Sequence, residues 1–256
     1  MPTIMEYKVI HIDETDSTNR WLWNHVLPQA AGVCAVVVAE YQTAGKGCGS
    51  NSWESERGQN LTFSVLLHPK EMRFGAVAYS TRLPADCQFR ISEAVSVALC
   101  KTLEPLLGEP VEIKWPNDIY VGDRKICGIL IENRLKGRLI TDSIVGIGLN
   151  VNQTEFRSDA PNPVSVAQIV GHETDREALL KAFLQQLSAT MEMEPEPLMG
   201  AYRSRLYRRE GRHRFSDSGG VFEAQVLNVL DDGRLVLLNS DGIARMYAFK
   251  EVQYMI

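Results

Sequence analysis

Long apolar runs are missing from this chain of 256 residues. None approaches the roughly 18 consecutive apolar residues that a membrane-spanning helix needs. The first residues also lack the basic region and the apolar stretch of a secretory signal. The sequence therefore predicts a cytoplasmic protein without a membrane partner.

Cysteine pairs and clustered metal ligands are missing as well. The five cysteines are odd in number and widely spaced, and neither C-x-x-C nor H-E-x-x-H occurs. Free thiols suit a reducing compartment. This spacing predicts neither a disulfide framework nor a metal ion held by the protein.

Basic residues are fewer than acidic ones. The chain has 27 Lys and Arg and 32 Asp and Glu, which gives a net charge of -5. Proteins that grip nucleic acids usually have the opposite balance, so nucleic acid is not expected as a partner. Phosphate binding stays open, because a few lysines and backbone N–H groups make a local basic site.

The hydrophobic pattern predicts a mixed α/β domain over residues 1–210. Continuous apolar runs predict buried strands, and apolar residues at helical spacing predict helices. The predicted strands are 7–12, 33–40, 60–67, 111–115, 119–121, 125–132 and 144–151. The predicted helices are one through 21–23 capped by Asp16 or Ser17, 86–103, 176–191 and, after two prolines, a basic helix over 202–209.

The pattern changes to short strands over residues 211–256. Strands are predicted at 222–229, 234–238 and 243–249, with Asp-Gly hairpin turns between them. So short a segment is too small for a stable core of its own. We expect a small β-barrel packed on the larger domain.

Three alternating glycines, Gly45, Gly47 and Gly49, follow the second predicted strand, with Lys46 between the first two. Closely spaced glycine N–H groups can bind an anion. The loop is not a P-loop, which would need Gly at 40 and Ser or Thr at 47. It is not a dinucleotide fingerprint either, because no G-x-G-x-x-G opens a helix. Taken alone, it is equally compatible with an ordinary surface loop.

A cation, a ring and a carboxylate stand together in Lys114-Trp-Pro-Asn-Asp118. On its own, a turn at a strand end explains this segment as well. Gly128, Gly146 and Gly148 interrupt two predicted strands, which weakens a sheet unless another group approaches the backbone there. A flat ligand lying across these strands, or a tight strand–helix contact, accounts for all three.

Six segments in this order resemble the biotin–protein ligases. They are 16–19 (Asp-Ser-Thr-Asn), 40–47 (Glu-Tyr-Gln-Thr-Ala-Gly-Lys-Gly), Trp53, 114–119 (Lys-Trp-Pro-Asn-Asp-Ile), 125–132 (Lys-Ile-Cys-Gly-Ile-Leu-Ile-Glu) and 146–151 (Gly-Ile-Gly-Leu-Asn-Val). The resemblance runs from about residue 6 to 256. It implies a mixed-sheet domain related to class II aminoacyl-tRNA synthetases and a C-terminal SH3-like domain. Some members add an N-terminal DNA-binding winged helix; because the pattern begins near Met1, we expect no repressor function.

The resemblance implies a reaction in two steps. Biotin and MgATP give biotinyl-5′-AMP and pyrophosphate, and a lysine of a biotin carboxyl carrier protein then takes the biotinyl group. The expected small molecules are therefore ATP, Mg²⁺ and the substrate biotin. The expected protein partner is the carrier domain of acetyl-CoA carboxylase or a related carboxylase, and the sequence leaves a homodimer open.

The resemblance also implies a set of site residues. Catalysis is assigned to Lys125, Asp118, Lys114 and Lys46. Biotin contacts are expected from Ser17, Thr18, Asn19, Gln42, Gly45, Lys46, Gly47, Lys125 and Gly128. Nucleotide contacts are expected from Lys46, Cys48, Trp53, Lys114, Asn117, Lys125 and Asn150. Lys125 is expected to bridge the biotin carboxylate and the α-phosphate, and Asp118 to receive or orient the proton of the acceptor lysine.

The glycine-rich loop departs from the commoner family pattern, G-R-G-R-x-G. Lys46 replaces the first arginine, which keeps the charge without the planar fork. Cys48 replaces the second, and it is neutral and short. Our hypothesis is that this chain holds biotinyl-AMP less tightly than relatives with both arginines.

Two other functions compete with this interpretation. A lipoate or octanoate ligase has the same fold, although the 114–118 segment with the Gly128 hairpin favours biotin. A non-enzymatic binding module would use the predicted basic helix and the β-barrel. The presence of Lys114, Asp118 and Lys125 favours an active enzyme.

Overall fold

A computed structural model describes residues 7–27, 34–47, 49, 51–68, 83–157 and 162–256. Within these ranges, seven strands form one sheet in the order β1-β2-β3-β7-β6-β5-β4. They are β1 (Tyr7–Thr15), β2 (Cys34–Gln42), β3 (Leu61–Leu67), β4 (Glu112–Lys114), β5 (Asp118–Val121), β6 (Arg124–Lys136) and β7 (Leu139–Leu149). β1 and β2 are parallel and the other neighbours antiparallel, so the sheet is mixed.

The described residues contain five α-helices and a short 3-10 helix at Ala85–Cys87. The α-helices are α1 (Thr18–His25), α2 (Phe89–Leu107), α3 (Val166–Val170), α4 (Arg176–Met191) and α5 (Pro195–Arg203). The start of α4 is fixed by Asp175, whose Oδ1 accepts from the N–H groups of Glu177 at 2.9 Å and Ala178 at 3.1 Å. The end of α2 is followed by Gly108 at φ 65°, the left-handed conformation that suits glycine.

The core lies on both faces of the sheet. Val36 and Val38 of β2 belong to the large cluster that contains α2 and α4. Ala35 and Val37, which alternate with them, pack on the other face with Leu22 of α1. This explains why residues 34–39 of β2 are all apolar, as the sequence predicted for a strand buried on both faces.

The C-terminal residues form a second sheet in the order β11-β10-β9-β8-β12. Its strands, all antiparallel, are β8 (His213–Asp217), β9 (Gly220–Val229), β10 (Leu235–Asn239), β11 (Ala244–Tyr247) and β12 (Gln253–Tyr254). The two Asp-Gly turns have Gly233 at φ 87° and Gly242 at φ 76°. The expected fold class, a mixed sheet with helices plus a small SH3-like β unit, is confirmed. The domain boundary at residue 211 stays a prediction.

The predicted basic helix over 202–209 was wrong. The helix begins earlier, at Pro195, because a proline in the first turn gives up an N–H group that would have no helical partner. It ends at Arg203, since the next residues pair with β4 instead. Ile113 N–H donates to Arg205 O at 2.7 Å, and Tyr207 N–H donates to Ile113 O at 2.9 Å.

The arginines of that segment have partners within the chain. Arg205 pairs with Glu104 at 2.9 Å, and Arg203 Nε donates to Val229 O at 2.9 Å. Arg208 donates to Met255 O at 2.7 Å. The basic run therefore ties the C-terminal sheet to the helices, and the observation behind the binding-module alternative disappears.

Helices that are long and apolar enough to cross a membrane are absent from the described residues.

Candidate active site

Lys125 and Asp118 form an ion pair in the β5–β6 hairpin. Lys125 Nζ lies 2.8 Å from Asp118 Oδ2, and the two side chains are 27% and 30% exposed. The hairpin turn at Gly122, at φ 55°, joins the two strands on which they stand. The pair is sheltered enough to be held, yet both groups remain accessible to a ligand.

Lys114 joins this pair from the neighbouring strand. It stands opposite Asp118 in the β4–β5 register, and its Nζ donates to the Tyr120 hydroxyl at 3.3 Å. Burial lowers the pKa of Lys114, and Lys125 lowers it further, whereas Asp118 acts in the opposite direction. Lys114, Asp118 and Lys125, called the lysine cluster below, thus place two cations around one carboxylate, which suits an anionic ligand.

Trp53 lies flat on the glycines of β6 and β7. Gly128 and Gly148 face each other directly in the sheet register. A Cβ on Gly128 would lie 2.9 Å from the Trp53 ring, and one on Gly148 would overlap the indole. Lys125 Nζ sits 5.9 Å from the ring centroid. The flat group over these two glycines in this structure is therefore the protein's own indole.

The indole nitrogen of Trp53 is buried and has no hydrogen-bond partner among the described residues. A buried donor without an acceptor is costly, so such a group is uncommon in a finished site. The Trp53 nitrogen lies against the backbone of β7, since a Cβ on Gly148 would be 2.4 Å from it.

The two arms of the glycine-rich loop pair with each other. Trp53 N–H donates to Gly45 O at 2.9 Å, and Gly47 N–H donates to Asn51 O at 2.7 Å. The N–H of Gly47 is therefore used inside the loop. Lys46 is exposed on the loop, and Cys48 lies outside the described residues.

A second polar group lies at the start of α1. Ser64 Oγ is 2.6 Å from both Thr18 Oγ1 and Asn19 Oδ1, and Asn19 Nδ2 donates to Glu132 at 2.7 Å. A hydroxyl has one proton, and the amide oxygen has none. Ser64 therefore shares its single proton between these two oxygens, and Thr18 Oγ1 donates its own proton to Gln42 Oε1. We call this chain of four residues the hydroxyl–amide relay.

Gln42 completes the polar group. Its Oε1 accepts from Thr18 N–H at 2.8 Å and lies 3.0 Å from Thr18 Oγ1. Because the Thr18 hydroxyl donates its proton to Gln42, a lone pair of Thr18 Oγ1 is left for an outside N–H donor. Gly146 makes room for the relay, since a Cβ there would lie 2.5 Å from Asn19 Oδ1.

Asn150 supports the site from beneath. It is 3% exposed, and its Nδ2 donates to Val164 O at 3.1 Å. The neighbouring backbone holds Lys125, whose N–H donates to Asn162 O at 2.8 Å and whose carbonyl accepts from Val164 N–H at 3.0 Å. Asn150 thus fixes the segment that holds Lys125, and its Oδ1 has no partner among the described residues.

The predicted residues therefore fall into two groups along β7. Gly148 lies beneath Trp53 near the lysine cluster, and Gly146, two residues earlier on the same strand, lies beneath the relay. Ser17 is buried at the N-cap of α1 without a side-chain cap bond, so its predicted position holds but its capping bond does not. Asn117 is half-buried next to Asp118.

Three functional side chains were missed in the sequence: Ser64, Glu132 and Tyr120. Ser64 had a signal, because it is a polar residue among the apolar residues 63–67 of β3. Glu132 closes the 125–132 segment as its last residue, yet only the structure shows it beneath Asn19.

The lysine cluster and the hydroxyl–amide relay both lie within the residues that identify the family. The model of the biotin/lipoate A/B protein ligase family matches residues 12–150, more than half of the chain. This chain belongs to that family. The predicted relationship to biotin–protein ligases is thereby confirmed, and the chain is a ligase.

Curated relatives of this ligase are similar over most of its length. The bifunctional ligase/repressor BirA of Bacillus subtilis (strain 168) is 28% identical over 246 residues, which is 93% of this chain and 70% of that protein. The biotin–[acetyl-CoA-carboxylase] ligase of Paracoccus denitrificans is 29% identical over 244 residues, which is 89% of this chain and 93% of that protein.

Among solved structures, the biotin protein ligase from Aquifex aeolicus in complex with biotin and ATP superposes with a TM-score of 0.76. It is 25% identical, and the match covers 97% of this ligase and 99% of that chain. The match therefore extends over both sheets.

Proposed function

We propose that this ligase activates biotin with ATP and transfers it to a lysine of a biotin carboxyl carrier domain. The observation that carries the proposal is the position of Lys125, which lies between the Asp118 carboxylate and the Trp53 ring on the Gly128–Gly148 surface. A cation beside an aromatic platform suits a nucleotide phosphate next to its base.

In the first step, a biotin carboxylate oxygen bonds to the α-phosphorus of ATP, and the bond to the bridging oxygen breaks to release pyrophosphate. No general base is needed, because a carboxylic acid is already ionised at neutral pH. Two anions must be brought together, and Lys125 and Lys114 neutralise the charge as it builds up on the phosphoryl group. Trp53 stacks on the adenine.

In the second step, the amine nitrogen of the acceptor lysine bonds to the acyl carbon, and AMP leaves. A free lysine at pH 7 lies about 3.4 units below its pKa, so its neutral form costs roughly 4.6 kcal/mol. Asp118 receives or orients the proton that the amine loses. Its pairing with Lys125 ties the two steps together, because ligand anions that draw Lys125 away leave the carboxylate free.

The hydroxyl–amide relay is the place for the ring of biotin. The urea group of biotin offers N–H donors and a carbonyl acceptor. The lone pairs of Thr18 Oγ1 accept such a donor, and the Gln42 amide offers a second polar contact. Gly146 lies at this ring site, and Gly148, two residues further along the same strand, lies beneath Trp53 near the lysine cluster.

Magnesium enters with the nucleotide. The described residues contain no group of three or more His, Cys, Asp or Glu side chains arranged to hold a metal ion. Mg²⁺ commonly keeps several waters and binds through substrate phosphates, so MgATP carries its own ion into the site. When bound, it neutralises the charge of the leaving pyrophosphate.

The proposal is tested with two assays on the purified chain. Radioactive pyrophosphate should exchange into ATP only when biotin is present, and not with lipoate or octanoate. Labelled biotin should then appear on a carrier domain and not on its acceptor Lys→Arg variant. Exchange driven by lipoate or octanoate, or labelling of the Lys→Arg carrier, would overturn the assignment.

A further inference from the structure

The last strand of the C-terminal sheet brings an aromatic ring to Lys114. The Lys114 ammonium lies over two tyrosine rings, 5.2 Å from the ring centroid of Tyr120 and 5.7 Å from that of Tyr254. Both distances are within the range of a cation–π contact, in which the negative face of a ring attracts an ammonium group. Tyr120 belongs to β5 and Tyr254 to β12. Lys114 is therefore contacted from both sheets.

Tyr254 is fixed in this position by backbone and ring contacts. It pairs with Phe215 in the β8–β12 register, and the two ring centroids are 4.9 Å apart. The next residue, Met255, donates its N–H to Arg214 O at 3.0 Å and accepts from Arg208 Nη1 at 2.7 Å. Because backbone and ring are already ordered, little conformational entropy remains to be lost when the ring contacts a cation.

The ring of Tyr254, and not its hydroxyl, makes the contact. The hydroxyl is buried and has no hydrogen-bond partner among the described residues. Burial raises the pKa of Tyr254, so the phenol stays neutral and offers no negative charge to Lys114. Lys114 Nζ donates its hydrogen bond to the Tyr120 hydroxyl instead, at 3.3 Å. The face of the Tyr254 ring is therefore what attracts the ammonium.

Lys114 needs such support because its surroundings disfavour a cation. The charged and phenolic groups that act on it come from β5, β6, β12 and the segment after α5: Asp118, Tyr120, Lys125, Tyr254 and Arg208. Burial lowers the pKa of Lys114, Asp118 raises it, and Lys125 and Arg208 lower it. A ring favours the ammonium without competing for it as a second carboxylate would, so the cation stays available to an anionic ligand.

We propose that Tyr254 is a positioning residue for Lys114, whose ammonium its ring keeps charged and in place within the lysine cluster. The C-terminal sheet thereby completes the site for the first step. The kinetic part of this inference rests on the proposed function, in which Lys114 neutralises charge on the phosphoryl group. The effect of the ring on Lys114 itself does not depend on which reaction the ligase performs.

The test compares Tyr254→Phe, Tyr254→Leu and Tyr254→trifluorophenylalanine with Tyr247→Leu. Phenylalanine keeps the ring and leucine removes it, whereas trifluorophenylalanine keeps the shape of the ring but weakens its negative face. Tyr247 is a buried tyrosine of β11, at the opposite edge of the same sheet, where it stacks on Phe222. Tyr247→Leu therefore reports general damage to the C-terminal sheet.

The first measurement is an NMR titration of the lysine side chains in the ligand-free chain. The Lys114 signal is identified by its loss in Lys114→Met. Tyr254→Leu and Tyr254→trifluorophenylalanine should lower the pKa of Lys114 further, because the ammonium loses an attractive contact. Tyr254→Phe and Tyr247→Leu should leave the pKa of Lys114 as it is in the wild type.

The second measurement is biotin-dependent pyrophosphate exchange at saturating substrates. Its rate should fall by about fivefold in Tyr254→Leu and Tyr254→trifluorophenylalanine, and Tyr254→Phe should restore it. The decline of the rate at alkaline pH should begin at a lower pH in the two slow variants, since their Lys114 loses its proton earlier. Transfer from supplied biotinyl-AMP should not change, because the phosphoryl step has then been bypassed.

Two results would overturn the inference: an unchanged pKa of Lys114 in Tyr254→trifluorophenylalanine, or a Tyr254→Phe variant as slow as Tyr254→Leu. An equal loss of exchange in Tyr247→Leu would also count against it, because the effect would then belong to the stability of the sheet. The comparison of phenylalanine with trifluorophenylalanine stands even if Tyr254→Leu does not fold. If the pKa of Lys114 moves as expected but the wild type shows no biotin-dependent exchange, the proposed function fails and the contact stands.

Discussion

Lys125 Nζ lies 2.8 Å from Asp118 Oδ2, so the cation proposed for the first step neutralises the carboxylate proposed for the second. Each group is thereby held in place before any ligand binds. We propose that the pairing also orders the two steps, with Asp118 freed for an incoming amine after Lys125 has turned to ligand anions.

The first prediction separates these two roles. Lys125→Ala should abolish biotin-dependent ATP–pyrophosphate exchange, because the two reacting anions then meet without their bridging cation. Asp118→Ala should keep more of the exchange and lose more of the transfer to a carrier domain. Single-turnover transfer from supplied biotinyl-AMP measures the second step alone. Equal losses in both half-reactions would refute this division.

The second prediction concerns the relay. Ser64→Ala leaves the buried Asn19 oxygen without its donor, so it should cost about 1–3 kcal/mol of stability and raise KM for biotin, with KM for ATP unchanged. Ser96→Ala is the matched control. Ser96 is 0% exposed and its hydroxyl has no partner among the described residues, so its loss should be close to neutral. Urea unfolding and steady-state kinetics of both variants decide the matter.

The third prediction tests the glycine surface. Gly148→Ala should push the Trp53 indole into solvent, shift its fluorescence to longer wavelength and raise KM for ATP. A Trp53→Phe variant identifies the contribution of this ring among the four tryptophans. Gly200→Ala in α5 has open space around the added methyl group and should gain about 0.5–1 kcal/mol instead. An unchanged spectrum in Gly148→Ala would contradict the packing described above.

The fourth prediction uses the lowered pKa of Lys114. Burial favours the neutral amine, so the unfolded chain binds this proton more tightly and the stability cost is present below the folded pKa. Stability should rise with pH in the window between the lowered pKa and 10.5. Lys114→Met should therefore raise Tm by about 1–3 °C at pH 7, with a gap that narrows as pH rises, while it slows adenylate formation. A Tm below that of the wild type at pH 7 would show that the cation stabilises the fold.

The fifth prediction concerns Cys48. If the missing arginine weakens retention of the intermediate, Cys48→Arg should slow the release of biotinyl-AMP, measured by displacement with unlabelled adenylate. If Cys48→Arg releases biotinyl-AMP as fast as the wild type, the hypothesis is refuted.

Much of the fold follows from local pattern. The apolar runs of β2 and β3, the Asp-Gly turns and the span of α4 were predicted because each depends on neighbouring residues. The strands β8 and β12 were missed. β12 has two residues, and pairing with β8 rather than its own pattern makes it a strand.

The site was only partly predictable for a related reason. The glycines of β6 and β7 indicated that a flat group approaches, but spacing alone does not distinguish a ligand from an indole. The basic run near Arg205 suggested a solvated helix. In the structure, Arg205 pairs with Glu104, which is 101 positions away in the chain. Contacts of that range depend on the assembled fold and leave no periodic signal.

The hydrogen bond from Trp115 Nε1 to Gly233 O has a consequence for how this ligase can be rebuilt. Trp115 belongs to the segment that carries Lys114 and Asp118, so this segment is bonded to a turn of the C-terminal sheet, and the Phe249 ring packs against the same indole. In a chimera that takes its C-terminal sheet from a relative, the new sheet would therefore not fit the Trp115 side chain. Such an exchange should succeed only if the residues on both sides of the contact, Trp115 and its partners Gly233 and Phe249, come from the same protein. The two sheets would therefore have to be exchanged together.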